Sequence, residues 1–114
     1  MRIERELMRG AGPMAVLHVL SRGEKYGYEL VEALARQSNG VLAMGQSTLY
    51  PLLYNLEAKG LIASRLDDAG PRPRRYYRLT GKGKRRLEKD TQQWRALTEA
   101  LGAIGLSPAG EGAA

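Results

Sequence analysis

Apolar positions in this chain change their spacing as the sequence runs, and each change predicts a structural element. Residues 3–9 predict a short helix, with Ile3 and Leu7 four apart on one face. Gly10, Gly12 and Pro13 predict a break after it. Met14 to Leu20 is then almost continuously apolar, which suits a strand or a buried helix. Pro13 at a first helical position and Ser21-Arg22-Gly23 beyond the end favour a helix. Tyr26 to Ser38 predicts a second core helix, because Gly27, Leu30, Val31 and Leu34 share a face while Glu29, Glu32, Arg36 and Gln37 lie elsewhere. Asn39-Gly40 predicts its stop, since both residues tolerate positive φ. Residues 46–59 predict a third helix, with Leu49, Leu52, Leu53 and Leu56 as its buried stripe. Pro51 belongs near the start of that helix, where a missing N–H costs least.

Beyond Gly60 the period shortens to two. Leu61–Leu66 and Arg74–Leu79 predict a β-hairpin around the turn-forming residues 67–73. On the return strand Arg75, Tyr77 and Leu79 share one face, and Arg74, Tyr76 and Arg78 the other. Thr80 is a good N-cap for a last helix running to about Gly102. Gly81 and Gly83 weaken its first turn. Leu87, Trp94, Leu97, Leu101 and Ile104 form a heptad-like seam along it, broken once at Asp90. From Gly105 onward nothing remains to bury, and a disordered tail is expected over 105–114.

Three compact helices, a hairpin and a long helix predict a mainly α fold with a small β-hairpin. The order matches a winged helix-turn-helix domain over 1–79, followed by a C-terminal dimerisation helix over 80–104. In that architecture the third helix enters the major groove of DNA and the hairpin reaches the flanking backbone. At about 100° per residue, the leucine stripe turns Ser47, Tyr50, Pro51, Tyr54 and Ala58 outward, with Thr48 and Asn55 to one flank. Hydroxyls and an amide there suit phosphates and base edges. The alternative for Tyr50 and Tyr54 is packing against the wing or a partner subunit.

Charge sharpens this picture. The 114 residues carry a net charge of +6, but residues 71–90 alone carry +7, which leaves the rest at −1. Arg72, Arg74 and Arg75 fall at the wing, where arginines suit phosphates or a narrow minor groove. Lys82, Lys84, Arg85 and Arg86 open the last helix, where cations oppose the helix dipole. Phosphate contact is the simplest demand that would place them there. A solvated surface is the alternative for both groups.

Composition excludes several chemistries. The chain has no cysteine, so disulfides, thiolate zinc sites and cysteine nucleophiles are ruled out. Its single histidine, His18, has no nearby partner and is expected to be a core or semi-buried residue. No catalytic site, metal or cofactor is predicted. No stretch approaches the roughly 18 apolar residues of a membrane span. The expected setting is cytoplasmic and the expected partner double-stranded DNA. The runner-up is an adaptor whose basic hairpin meets an acidic protein.

Four blocks carry a family resemblance. They are Tyr26-Gly27-Tyr28-Glu29-Leu30, Ser47-Thr48-Leu49-Tyr50-Pro51-Leu52-Leu53, Leu56-Glu57-Ala58-Lys59-Gly60-Leu61-Ile62, and Arg72-Pro73-Arg74-Arg75-Tyr76-Tyr77-Arg78-Leu79-Thr80. In this order and spacing the chain resembles the PadR family of bacterial transcriptional regulators over about residues 10–90, in its compact branch with one C-terminal helix. The resemblance implies a winged helix-turn-helix, a homodimer formed through the last helix, and usually repression of a nearby operon. Many members have a Ser-Pro pair where this chain has Gly45-Gln46, so the recognition helix begins at Gly45 or at Ser47. In multidrug-sensing members a tryptophan on the final helix lines a cavity at the dimer interface. Trp94 occupies a similar place and could stack on a flat aromatic effector; the alternative is ordinary packing in the seam beside Leu87, Leu97 and Leu101.

Overall fold

The computed structural model describes residues 1–106. Within them the chain forms α1 (Arg5–Leu20), β1 (Lys25–Tyr26), α2 (Gly27–Gln37), α3 (Gln46–Ala58), β2 (Ile62–Asp67), β3 (Arg74–Leu79) and α4 (Gly81–Ala103). The fold is mainly helical with a small antiparallel sheet in the order β1-β3-β2.

The core follows from the apolar stripes. Val16, Leu17, Leu30, Leu34, Leu49, Leu53 and Ile62 are essentially sealed from solvent, with Leu56, Leu61 and Tyr77 closing the sheet side. α1, α2 and α3 surround these side chains, and β3 lies across α1 and α2. Leu52, at the edge of its stripe, is only partly buried and packs against the core from outside.

Several expectations are corrected. The first two predicted segments are one helix, because α1 runs through Gly10, Gly12 and Pro13 without a break. Pro13 forfeits the bond to the Arg9 carbonyl, but Arg9 is exposed and water can serve that oxygen. Gly12 brings α1 close to α3: a Cβ there would stand 3.3 Å from Leu52 Cδ1, a tight contact that the leucine would have to ease. α3 begins at Gln46 with Gly45 as N-cap. Pro51 is therefore a full turn inside the helix, where its missing N–H leaves the Ser47 carbonyl without its helical partner. Ser47 and Pro51 both face solvent, so the loss is tolerated. His18 is exposed on the outer side of α1, since its neighbours Leu17 and Val19 take the inward directions.

The ends of α2 and α3 share one device. Asn39 (φ 54°) and Gly60 (φ 76°) take the left-handed conformation. The next N–H in each case reaches back to the last turn, Gly40 to Ala35 at 2.7 Å and Leu61 to Leu56 at 3.0 Å. This closes the helix and turns the chain. α4 ends the same way, with Leu106 N–H on the Leu101 carbonyl at 2.8 Å. Gly105 and Leu106 thus belong to the helix end. The remainder of the expected tail, 107–114, lies outside the described residues.

Candidate nucleic-acid interface

The third strand is the element that sequence patterning missed. β1 has only two residues, pairing Lys25 with Tyr77 and Tyr26 with Tyr76. Two residues show no period. Yet β1 sews the start of α2 to the returning strand of the wing. β2 and β3 pair in register from Ile62↔Leu79 to Asp67↔Arg74, so the wing is a regular hairpin with its tip at 68–73.

One cleft runs between α3 and this wing. Tyr26, Gly27, Tyr28, Gln46, Tyr50, Arg72, Pro73, Arg74, Arg75 and Tyr77 line it, with a volume of about 510 Å³. No acid is among them. Ser47, Thr48, Tyr50 and Tyr54 are all exposed, Tyr54 to 74% and Tyr50 to 42%. Tyr50 is held more firmly than Tyr54. Its ring lies over the first residue of α2, so close that a Cβ on Gly27 would stand 2.5 Å from the Tyr50 hydroxyl oxygen. Burial pushes the Tyr77 phenol beside it to a higher pKa, Tyr50 adds to that shift, and Arg75 opposes it.

The wing arginines are held in different ways. Arg75 donates from Nη1 to the Ser64 hydroxyl at 3.2 Å, and that hydroxyl donates to the Glu57 carboxylate at 2.7 Å. Arg65 is paired with Glu24 through two bonds, of 3.1 and 2.5 Å. That pairing holds the Glu24 carboxyl below the usual carboxylate range. Arg74 stacks instead on an uncharged ring, its guanidinium carbon 4.5 Å from the centre of Tyr26. Arg72 is exposed at the tip.

Two residues expected at this face lie elsewhere. Asn55 is about 100° around α3 from Tyr54, on the side of Leu52, Leu56 and Lys59. Lys82 sends its ammonium to the Lys59 carbonyl at 2.8 Å and lies along Gly60. It therefore caps the negative end of α3, which is the structural demand that its place in the first turn of α4 hid. Arg86 is likewise engaged, with Asp90 at 3.0 Å. Conversely, Tyr26, Tyr28 and Gln46 line the cleft but were not singled out from the sequence. The two tyrosines of the Tyr26-Gly27-Tyr28 block were the available signal.

Asn55 lines a second cleft, of about 680 Å³, between α1, α3 and α4. Leu7, Met14, Leu52, Trp94 and Leu97 give it an apolar surface. Leu87 packs partly onto the core, and Leu101 is half-buried. Trp94 and Leu97 stay 51% and 50% exposed, and Leu7 across the cleft 70%. None of the described helices is long and apolar enough to cross a membrane.

The chain is similar to known proteins along nearly its whole length. It is 36% identical over 99 residues to Transcriptional regulator Rv3488 of Mycobacterium tuberculosis, covering 86% of this chain and 90% of that protein. A solved PadR family transcriptional regulator from Eggerthella lenta is 42% identical, with a TM-score of 0.78 over 87% of this chain and 85% of that one. A transcriptional regulator from Clostridium thermocellum shares the fold at a TM-score of 0.81 and 24% identity, covering 88% of this chain and 98% of its own. The model of the transcriptional regulator PadR-like family matches residues 16–89, and the chain belongs to that family of transcriptional regulators.

Proposed function

We propose that the chain is a sequence-specific DNA-binding regulator that acts as a homodimeric repressor on a pseudo-palindromic operator. The observation that carries this reading is the acid-free cleft in which the outward face of α3 meets Arg72, Arg74 and Arg75 of the wing. α3 enters the major groove with Gln46, Ser47, Tyr50 and Tyr54 toward base edges and phosphates, while Thr48, on the Asn55 flank, faces the phosphate backbone at the start of the helix. The wing arginines neutralise the flanking backbone.

The second copy joins through α4. Leu87 anchors the helix to its own domain, and Leu97, Leu101 and the exposed part of Trp94 form the contact with the partner. Support comes from the half-exposed Trp94 and Leu97 facing an exposed Leu7, an apolar stripe that a second copy would cover. A flat aromatic effector stacking on Trp94 in the cleft beside α1 would release the operator by changing how the two copies sit.

Footprinting on the promoter upstream of the protein's own gene tests the reading. Two protected half-sites are expected, about 10 bp apart or a multiple of that. Absence of duplex binding at moderate salt would refute it and favour an acidic protein partner for the wing. An unchanged Trp94 emission on titration with planar cationic dyes would remove the effector and leave packing as the role of that ring.

A further inference from the structure

Two aromatic residues of the sheet, Tyr26 and Tyr76, form a ladder with a wing arginine at each end. Arg65 lies 4.7 Å from the centre of the Tyr76 ring. Tyr76 meets Tyr26 edge to face, with 5.6 Å between centroids and 68° between planes. Arg74 covers the Tyr26 ring at 4.5 Å. The first rung is anchored to Glu24, in the turn before β1, through the Arg65 ion pair. Tyr26 is itself fixed by its pairing with Tyr76 and by its N–H, which donates to the Glu29 carboxylate at 3.0 Å. The ladder thus ties both wing strands to β1, with one wing arginine at each end.

The two ends differ electrically. A carboxylate neutralises Arg65. Arg74 is held by the face of a ring, which attracts the cation without cancelling its charge. Arg74 also lines the cleft together with Gln46 and Tyr50. A flexible arginine loses side-chain freedom when it is immobilised. A ring that already restrains it reduces that loss on binding.

We infer that Tyr26 is a positioning residue for nucleic-acid binding: it presents Arg74 to the phosphate backbone while leaving its charge intact. The inference rests on the DNA-binding reading and assigns Tyr26 a role through Arg74 and no contact of its own.

A double-mutant cycle on Tyr26 and Arg74 tests it, with a fluorescent 30-bp duplex of arbitrary sequence as probe in about 50 mM salt, where phosphate contacts dominate. Tyr26→Leu should weaken binding about two- to five-fold. Tyr26→Phe keeps the ring face and should bind like the native protein. In the Arg74→Ala background, Tyr26→Leu should cost nothing further. Equal losses from Tyr26→Leu with and without Arg74 overturn the inference, as does a loss in Tyr26→Phe, which would mean that the hydroxyl touches DNA directly. Circular-dichroism melts of each variant run alongside. A loss that tracks unfolding and persists without Arg74 marks a merely structural ring and also overturns it. If the native protein fails to bind the duplex at all, the DNA-binding reading falls, and this inference with it.

Discussion

Replacing Gly83 by alanine tests the joint that fixes α4 to the body of the domain. Gly83 is the one fully buried residue among the described residues of α4. A Cβ at this position would lie well inside van der Waals contact of the Leu61 carbonyl oxygen and 2.7 Å from Leu79 Cδ1. Leu79 can turn away, but the Leu61 carbonyl cannot, because it accepts the Thr80 N–H at 3.1 Å. Thr80 is pinned again by its hydroxyl, which donates to the Gly60 carbonyl at 2.7 Å and accepts from Gly83 N–H at 3.0 Å. Intrinsic preference works the other way, since alanine favours a helix interior by up to about 1 kcal/mol over glycine. Overpacking against backbone that cannot retreat costs about 1–3 kcal/mol or more. A net loss of about 2 kcal/mol is expected, a substantial part of the roughly 5–15 kcal/mol that holds a domain together. Urea unfolding followed by far-UV circular dichroism at fixed protein concentration measures it. With a slope of about 1–2 kcal/mol per molar, the midpoint should fall by about 1–2 M. Gly81→Ala is the matched control. Its Cβ would meet only the end of the Arg85 side chain at an ordinary 3.7 Å, so the change should be neutral or add about 0.5 kcal/mol. A Gly83→Ala midpoint at or above the native one would refute the claim that packing outweighs propensity here.

Gly27→Ala should leave the fold intact and damage the interface. The group its Cβ would strike, 2.5 Å away, is the free end of the Tyr50 ring, which can swing outward; stability should change by less than about 1 kcal/mol while operator affinity falls, and unchanged affinity would count against Tyr50 as a DNA contact. Tyr50→Ala should cost about 1–3 kcal/mol at the operator and much less on arbitrary duplex, whereas replacing Arg72, Arg74 and Arg75 together should weaken both and lower the log–log salt slope by about 2–3. Leu97→Asp should shift the sedimentation of the protein from dimer to monomer; a dimer that persists would move the interface off the α4 seam. Arg65 depresses the Glu24 carboxyl, so the folded state holds that proton less tightly than the unfolded chain. The contribution of the pair is then complete above the ordinary carboxylate range and fades as pH falls through it. Glu24→Gln should narrow its stability gap to the native protein in acid, and a gap independent of pH would contradict the pairing.

Whatever is periodic or local was legible in the order of residues. The leucine stripe of 49, 52, 53 and 56 fixed which side of α3 faces water, the alternation over 74–79 defined the return strand to the residue, and Thr80 and Asn39-Gly40 marked helix ends through side-chain and φ requirements that act within a few residues. Charge summed over 71–90 picked out the return strand and the start of α4 as the basic stretch of the chain without any knowledge of the fold. What depends on partners far along the chain was settled only by folding. β1 exists because Lys25 and Tyr26 find Tyr77 and Tyr76 fifty residues away. α1 continues through Pro13 because the core it covers outweighs one lost hydrogen bond. Gly83, a poor helix former by propensity, is required by the Leu61 carbonyl packed against it. Lys82 and Asn55 read as interface residues by type and position, yet one caps α3 and the other lines the opposite cleft. Long-range contact also separates the wing arginines: a charge count treats them alike, but Tyr26 restrains Arg74 without neutralising it, and that difference exists only once β1 is in place.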